Sequence, residues 1–361
     1  MARKIVERNK KMVDGHKKWP FHIYKLLKNT WDYCVNEINV PHNSHLILAV
    51  SGGSDSLAMA WLIKSLANKL NLKMTVLTID HGIRQEAQEE VKYVRKICRT
   101  FGLECISAKF SALKLSGKKN IGLEEAGREG RYTILGYYRK LLGADFIALG
   151  HQSNDLSEDI LMRLIRGTGW PALGGMTARD DKRHIIRPIL WANPDDLKNM
   201  LKSLSIEWRE DKSNQDTKFL RNHIRSVLMP LLREINPSFE SCAWHLHEFA
   251  KHDQDYWDLT IKKLQNEKNW DEFQFSGKSY IIFPKDFLNS IHRALRLRLY
   301  IYALKKLSFS SGRKWQINAE KLFRLDSAIG KNKNEKFFQM GNKIYARTGK
   351  FHLIFYNNYI E

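Results

Sequence analysis

The chain has 361 residues, 43% hydrophobic and 27% charged, an ordinary globular balance with room for two cored domains. No uninterrupted apolar run approaches the eighteen or so residues of a membrane span, which sets aside an integral helical membrane protein. Sixty Lys/Arg against 39 Asp/Glu leave a formal net charge of +21, too large an excess for a protein indifferent to polyanions.

The first twenty residues carry seven Lys/Arg but no apolar stretch or small-residue cleavage site, and Glu7 and Asp14 are unlike a transit peptide. They read as a basic extension (1–20) of a cytoplasmic protein. From Phe21 to Ile38 the apolar positions Ile23, Leu26, Leu27, Trp31, Val35 and Ile38 recur at helical spacing. A repeating pattern then begins. Strands are expected at His45–Val50, Met74–Ile79, Leu103–Phe110, Asp145–Gly150 and His184–Ile189. Helices are expected between them, at about Leu57–Leu70, Gln85–Phe101, Leu123–Leu142 and Leu156–Arg166. Such alternation argues βαβ units around a parallel sheet. After Asn222 it stops, Pro230 and Pro237 punctuate the chain, and a Trp- and His-rich helical stretch follows. Leu295–Tyr302 (LRLRLYIY) alternates like a strand inside a longer helical pattern and is read as helix. Phe337–Tyr356 reads as short strands with turns at Gly341 and Gly349. From Ile291 to Lys350 there are 15 Lys/Arg against 3 Asp/Glu, so the cationic excess gathers near the C-terminus.

The sharpest motif is Ser51-Gly52-Gly53-Ser54-Asp55-Ser56, set between a strand and a helix. Two glycines permit backbone geometry in which successive N–H groups converge on a phosphate oxygen. Ser51, Ser54 and Ser56 add hydroxyl donors, and the helix adds its dipole. Asp55 sits where a carboxylate could hold Mg²⁺ against the phosphates. The G-K-[ST] ending of a Walker A loop is missing. A Gly/Ser turn whose Asp merely caps a helix is the plain alternative.

The motif resembles the SGGxDS signature of PP-loop enzymes, which cleave ATP between the α- and β-phosphates. Four further blocks resemble the tRNA(Ile)-lysidine synthetases within that superfamily. They are Asp80-His81-Gly82-Ile83-Arg84, the helix Glu124–Tyr132 (EEAGREGRY), His151–Met176 and Trp208–Pro237. The resemblance spans residues 44 to 237 and implies a parallel, doubly wound PP-loop sheet of the adenine nucleotide alpha hydrolase kind. It also implies domains at 21–225 and 226–361, the latter mainly helical, basic and tRNA-binding. Taken singly, His81, His151, Arg128, Arg131, Arg221 and Arg225 could be satisfied loop or surface residues.

The family reaction is ATP-dependent ligation. The wobble cytidine of the CAU anticodon of an isoleucine tRNA is adenylated at C2, then the ε-amine of free lysine displaces AMP. The implied ATP contacts are Ser51–Ser56 and His81, with Mg²⁺ on Asp55. Arg128 and Arg131 would offset phosphate charge, and Asp155 and Glu158 would handle the amine. His151, Asn154, Arg221, Asn222 and Arg225 would complete the amine and tRNA site. A related PP-loop enzyme using another amine or a sulfur donor is the alternative. The four cysteines (Cys34, Cys98, Cys105, Cys242) form no C-x-x-C pair, so no iron–sulfur cluster of the thiocytidine kind is expected. The chain departs from the family at Asn154, where a second acid is usual, at Asp159 for Thr and at Lys212 for Pro. A homodimer is compatible with the sequence.

Overall fold

Strand β1 (His45–Ala49) organises the first unit, because its side chains serve two cores at once. Leu46 and Leu48 enter one layer and Ile47 the other, the two-residue period of a strand buried on both faces. The computed structural model describes residues 19–80, 87–209, 220–309, 318–331 and 335–357. The expectations for residues 1–18, for His81 and its neighbours to Arg84, and for Lys212 lie outside the described residues.

Helix α1 (Phe21–Asp32) precedes β1 and runs into a π turn at Tyr33–Glu37. After β1 come α2 (Ser54–Leu70), β2 (Lys73–Asp80), α3 (Ala87–Phe101), β3 (Glu104–Lys109), α4 (Ala112–Lys119), α5 (Leu123–Leu141), β4 (Phe146–Leu149) and α6 (Ser153–Ile165). Two short strands, β5 (Arg179–Asp180) and β6 (Ile185–Ile186), precede α7 (Pro194–Ser203). Helix α8 (Leu220–His223), a π turn and α9 (Met229–Ile235) then lead into α10 (Phe239–Asn266).

The sheet order is β3-β2-β1-β4-β6-β5, parallel throughout except for β5 against β6. Residues of α1, α2, α3 and α7 share a core on one face, and Leu135 of α5 packs on the other. The doubly wound fold expected from the alternation is therefore present. The fifth expected strand is shorter than its apolar run, because His184 adopts φ +53 in a turn and Pro188 has no N–H to donate. From β1 the chain steps outward to β3, then returns to place β4 on β1's other side. That reversal opens a crevice at the carboxyl ends of β1 and β4, where such sheets bind their ligands.

Contacts divide the chain into two units, residues 1–162 with 175–245 and residues 163–174 with 246–361. The division thus runs through α6 and α10, whereas the sequence suggested a break at 225/226. The second unit adds β7 (Asp271–Phe275), β8 (Lys278–Pro284), α11 (Lys285–Ser290), α12 (Arg293–Phe309) and α13 (Ala319–Lys331). Strands β9 (Lys336–Gly341), β10 (Ile344–Thr348) and β11 (His352–Asn357) complete it. They form an antiparallel sheet in the order β7-β8-β11-β10-β9. The ambiguous LRLRLYIY run lies in α12, whose buried Leu299, Tyr300, Ala303, Leu304 and Leu307 keep helical spacing. Asp326 on α13 accepts from Arg293 Nε (2.9 Å) and Arg296 Nε (2.8 Å), tying α12 to α13. Segment 163–174 joins this unit at Gly174, where an added Cβ would come within 2.3 Å of Ala250 Cβ.

Candidate active site

The phosphate loop leaves β1 and enters α2. Gly52 sits at φ +92, a conformation L side chains rarely adopt. Ser56 Oγ accepts from the Ser51 N–H (3.2 Å) and donates to the Gly53 carbonyl (2.9 Å), holding the turn from inside. Among the described residues no side chain caps the N-terminus of α2, which leaves its first N–H groups and its dipole to an anion. The end of β4 closes on this turn at Gly150, where an added Cβ would lie 3.0 Å from backbone atoms of Asp55 and Ser56. Gly150→Ala is therefore expected to push the end of β4 away from the first turn of α2, at the roughly 1–3 kcal/mol typical of overpacking. Nucleotide affinity should drop well before the fold is lost, which titration with ATP alongside a melting curve will read.

Helix α6 brings two acids to the same crevice. Asp155 Oδ2 accepts from the Gln152 N–H (3.1 Å), and Asp155 Oδ1 accepts from Arg221 Nη2 (2.7 Å) and Arg225 Nη2 (3.2 Å). Glu158 is 1% exposed and accepts from Arg221 Nε (3.0 Å), Arg225 Nε (2.6 Å) and Arg225 Nη2 (2.9 Å). Burial works against both guanidinium charges, and the two acids more than offset it, holding Arg221 and Arg225 above their ordinary range. Four residues that the family blocks singled out separately therefore form one lattice of alternating charge. Asn154 and Asn222 are half-buried on the same helices, α6 and α8.

Asp55 lies close enough to Asp155 to feel its charge. Burial first, then Asp155, raise the Asp55 carboxyl, against hydrogen bonds from Ser54 and Gln152. Among the described residues no cluster of three or more His, Cys, Asp or Glu is placed to bind a metal ion. A lone carboxylate beside a phosphate loop, such as Asp55, fits Mg²⁺, which usually takes one or two carboxylates and completes its shell with phosphate and water oxygens.

A second group of cations has few acids to meet it. Arg128 and Arg131 lie 5.5 Å from the centre of the Tyr132 ring, and Arg183 lies 5.9 Å from it. Arg131 Nε is enclosed and has no hydrogen-bond partner among the described residues, and burial lowers that guanidinium. Arg187, 6% exposed, donates from Nε to His151 Nδ1 (3.1 Å) and from Nη1 to the Thr177 carbonyl (2.6 Å). His151 is pushed well below its ordinary range, first by burial and then by Arg187, Arg131, Arg221 and Arg128. An imidazole that accepts at Nδ1 carries its proton on Nε2, so His151 is a neutral donor. Because the folded value lies below the unfolded one, this histidine's contribution is intact above about pH 6.5 and is lost as pH falls. In ¹⁵N spectra His151 should keep the neutral Nε2–H pattern below about pH 6.5. An imidazolium pattern for His151 at pH 6 would contradict the assignment.

Arg187, Tyr132 and Gln152 were not singled out from sequence. Tyr132 had a signal, the last letter of the Arg-x-x-Arg-Tyr run. Arg187 and Gln152 had none, because only the fold shows a cation and an amide turned into this crevice.

Residues 24–232 match the family model for the PP-loop domain. A tRNA(Ile)-lysidine synthase of Nitratidesulfovibrio vulgaris is 35% identical over 297 residues, covering 79% of this chain and 84% of its own. The chain belongs to the tRNA(Ile)-lysidine synthase family. The Thermosipho africanus member is 33% identical over 253 residues, and the match spans 57% of that longer protein. A U34-tRNA thiolase from Methanococcus maripaludis shares the fold at a TM-score of 0.53 and 17% identity, over 64% of this chain and 80% of its own. Within the family, ATP use attaches to the PP-loop domain, and the named reaction is a ligation that forms a carbon–nitrogen bond. Among the described residues no helix is long and apolar enough to cross a membrane.

Proposed function

We propose that this chain converts the wobble cytidine of a CAU-anticodon isoleucine tRNA to lysidine, in the cytoplasm, using ATP and free lysine. The observation that carries this reading is the Asp155/Glu158–Arg221/Arg225 lattice beside the phosphate loop. Free lysine arrives with both an ammonium group and a carboxylate, and a site of alternating acids and guanidinium groups meets both.

In the first step the cytidine O2 attacks the α-phosphorus and pyrophosphate leaves. Ser51–Ser56 would cradle the phosphates with backbone N–H groups and hydroxyls. Arg128 and Arg131 would offset the charge that gathers on the transferring group, and the unpartnered Arg131 Nε–H supports such a role. Mg²⁺ held on Asp55 would supply further charge neutralisation. His151, a neutral donor, suits a contact to an oxygen of the base or phosphate. In the second step the lysine ε-ammonium, held at Asp155 and Glu158, would give up a proton to one of these carboxylates, and the neutral amine then attacks C2 as AMP leaves with the C2 oxygen. Arg221 and Arg225 would hold the lysine carboxylate.

The test is mass spectrometry of the wobble nucleoside after incubation with tRNA, ATP and candidate amines in parallel. Addition of lysine is the expected result. If another amine is joined and lysine is ignored, the chemistry stands and the substrate assignment fails, with Asn154 and Asp159 the residues to examine. No adenylation and no pyrophosphate release would overturn the whole reading. Binding to tRNA should also weaken steeply between low and physiological salt, as several phosphate contacts release counterions. An affinity independent of salt would leave the +21 charge without a role.

A further inference from the structure

The sheet of the second unit carries a row of rings that the proposed chemistry does not use. Phe273, Tyr280, Tyr356 and Tyr345 stack in order across β7, β8, β11 and β10, with centroids 5.2, 5.9 and 5.6 Å apart and planes within 17–28°. Phe337 on β9 continues the row 5.3 Å beyond Tyr345 and is 61% exposed. The next residue, Phe338, points to the opposite side of the strand, by the two-residue period. There it lines a cavity of about 540 Å³ with Phe323, Arg324 and Lys336. Phe323 is 48% exposed and carries Arg293 over its ring at 5.6 Å. Strand β9 is the outer strand of the sheet, so both features meet at one edge.

We infer that this edge binds unpaired nucleotides of an RNA strand, a base in the cavity against Phe323 and Phe338 and its neighbour extending the ring row at Phe337. The inference rests on the reading of tRNA as substrate and adds where, and in what form, part of it is held. Rings with one face left uncovered stack on any base, whereas a duplex keeps its base faces closed. The volume suits a single nucleotide rather than a helix. Charge favours a polyanion: residues 336–357 hold Lys336, Lys343, Arg347 and Lys350 and no acid. The acids nearby are already shared at the surface, Glu320 with Arg324 (2.5 Å) and Glu335 with Arg347 (2.5 Å), pairs weak enough to yield to phosphate. An apolar protein partner would find this cationic rim unfavourable.

The experiment uses full-length protein, a short single-stranded RNA and a duplex of the same sequence. Single-strand binding, read by fluorescence anisotropy, should exceed duplex binding. Phe337→Ala and Phe323→Ala should each weaken it about ten-fold, the scale of one lost base stack. Lys336→Glu should flatten its salt dependence. All three side chains are exposed, so melting temperatures should hold. With whole tRNA the same variants should raise KM and leave kcat for wobble-cytidine modification unchanged. Equal binding of duplex and single strand, or unaltered tRNA KM in all three variants, overturns the inference while leaving the modification reading intact. If wild-type protein modifies no tRNA yet binds the single strand as described, it is the modification reading that fails.

Discussion

Asp55→Asn is expected to lower pyrophosphate release by about 10²–10³-fold, the scale set by loss of one charge-stabilising group at a reacting centre. The substitution keeps the size of the side chain and its bond to Ser54 Oγ, which approaches Oδ1 at 3.1 Å. It removes a negative charge that burial and Asp155 both disfavour, so stability should hold or rise slightly. A lower rate with an equal or higher melting temperature would separate chemistry from folding. The measurement is steady-state pyrophosphate release with tRNA and ATP saturating, beside a melting curve. An unchanged rate would remove Asp55 from the reaction and, with it, the residue proposed to hold Mg²⁺.

The loop that contains Asp55 was legible because its residue types are dictated by backbone geometry. Gly52 needs a positive φ and the serines bond within the turn, so the pattern reads in sequence as it stands in the fold. Strands β1 and β4 were legible for a related reason: burial on both faces leaves unbroken apolar runs. What escaped was decided by packing. Arg187 looks like any surface cation until β6 and the turn after it place its Nε against His151. The hairpin β7–β8 escaped although Phe273 and Phe275 alternate with polar residues ahead of Ser276-Gly277, whose φ values of +49 and +73 make a tight turn. The acid–arginine lattice was half legible. Its four members lie in blocks that resemble one family, but that Arg221 and Arg225 bond Asp155 and Glu158, rather than a substrate alone, is visible only in three dimensions.

That lattice alters what substitution at Glu158 should do. Glu158→Gln keeps the shape of the side chain and removes the charge that Arg221 Nε, Arg225 Nε and Arg225 Nη2 share. Two guanidinium groups then keep Asp155 as a bonded carboxylate, and one amide nitrogen faces a donor. Breaking a buried pair costs roughly 3–5 kcal/mol, and the lower end applies because the Arg225 side chain is 37% exposed to solvent. A lower melting temperature is therefore expected, and both half-reactions must be read well below it. There, pyrophosphate release should persist, since adenylation needs no amine, while joining of lysine to adenylated tRNA should fall below detection. Amines sharpen the result. Cadaverine keeps lysine's terminal amine but has no carboxylate, so wild-type protein should use it poorly, and Arg225→Lys should narrow the gap between the two by weakening lysine alone. Loss of both half-reactions in proportion to the folded fraction would make Glu158 a structural acid. Equal use of cadaverine and lysine by wild-type protein would take the carboxylate away from Arg221 and Arg225.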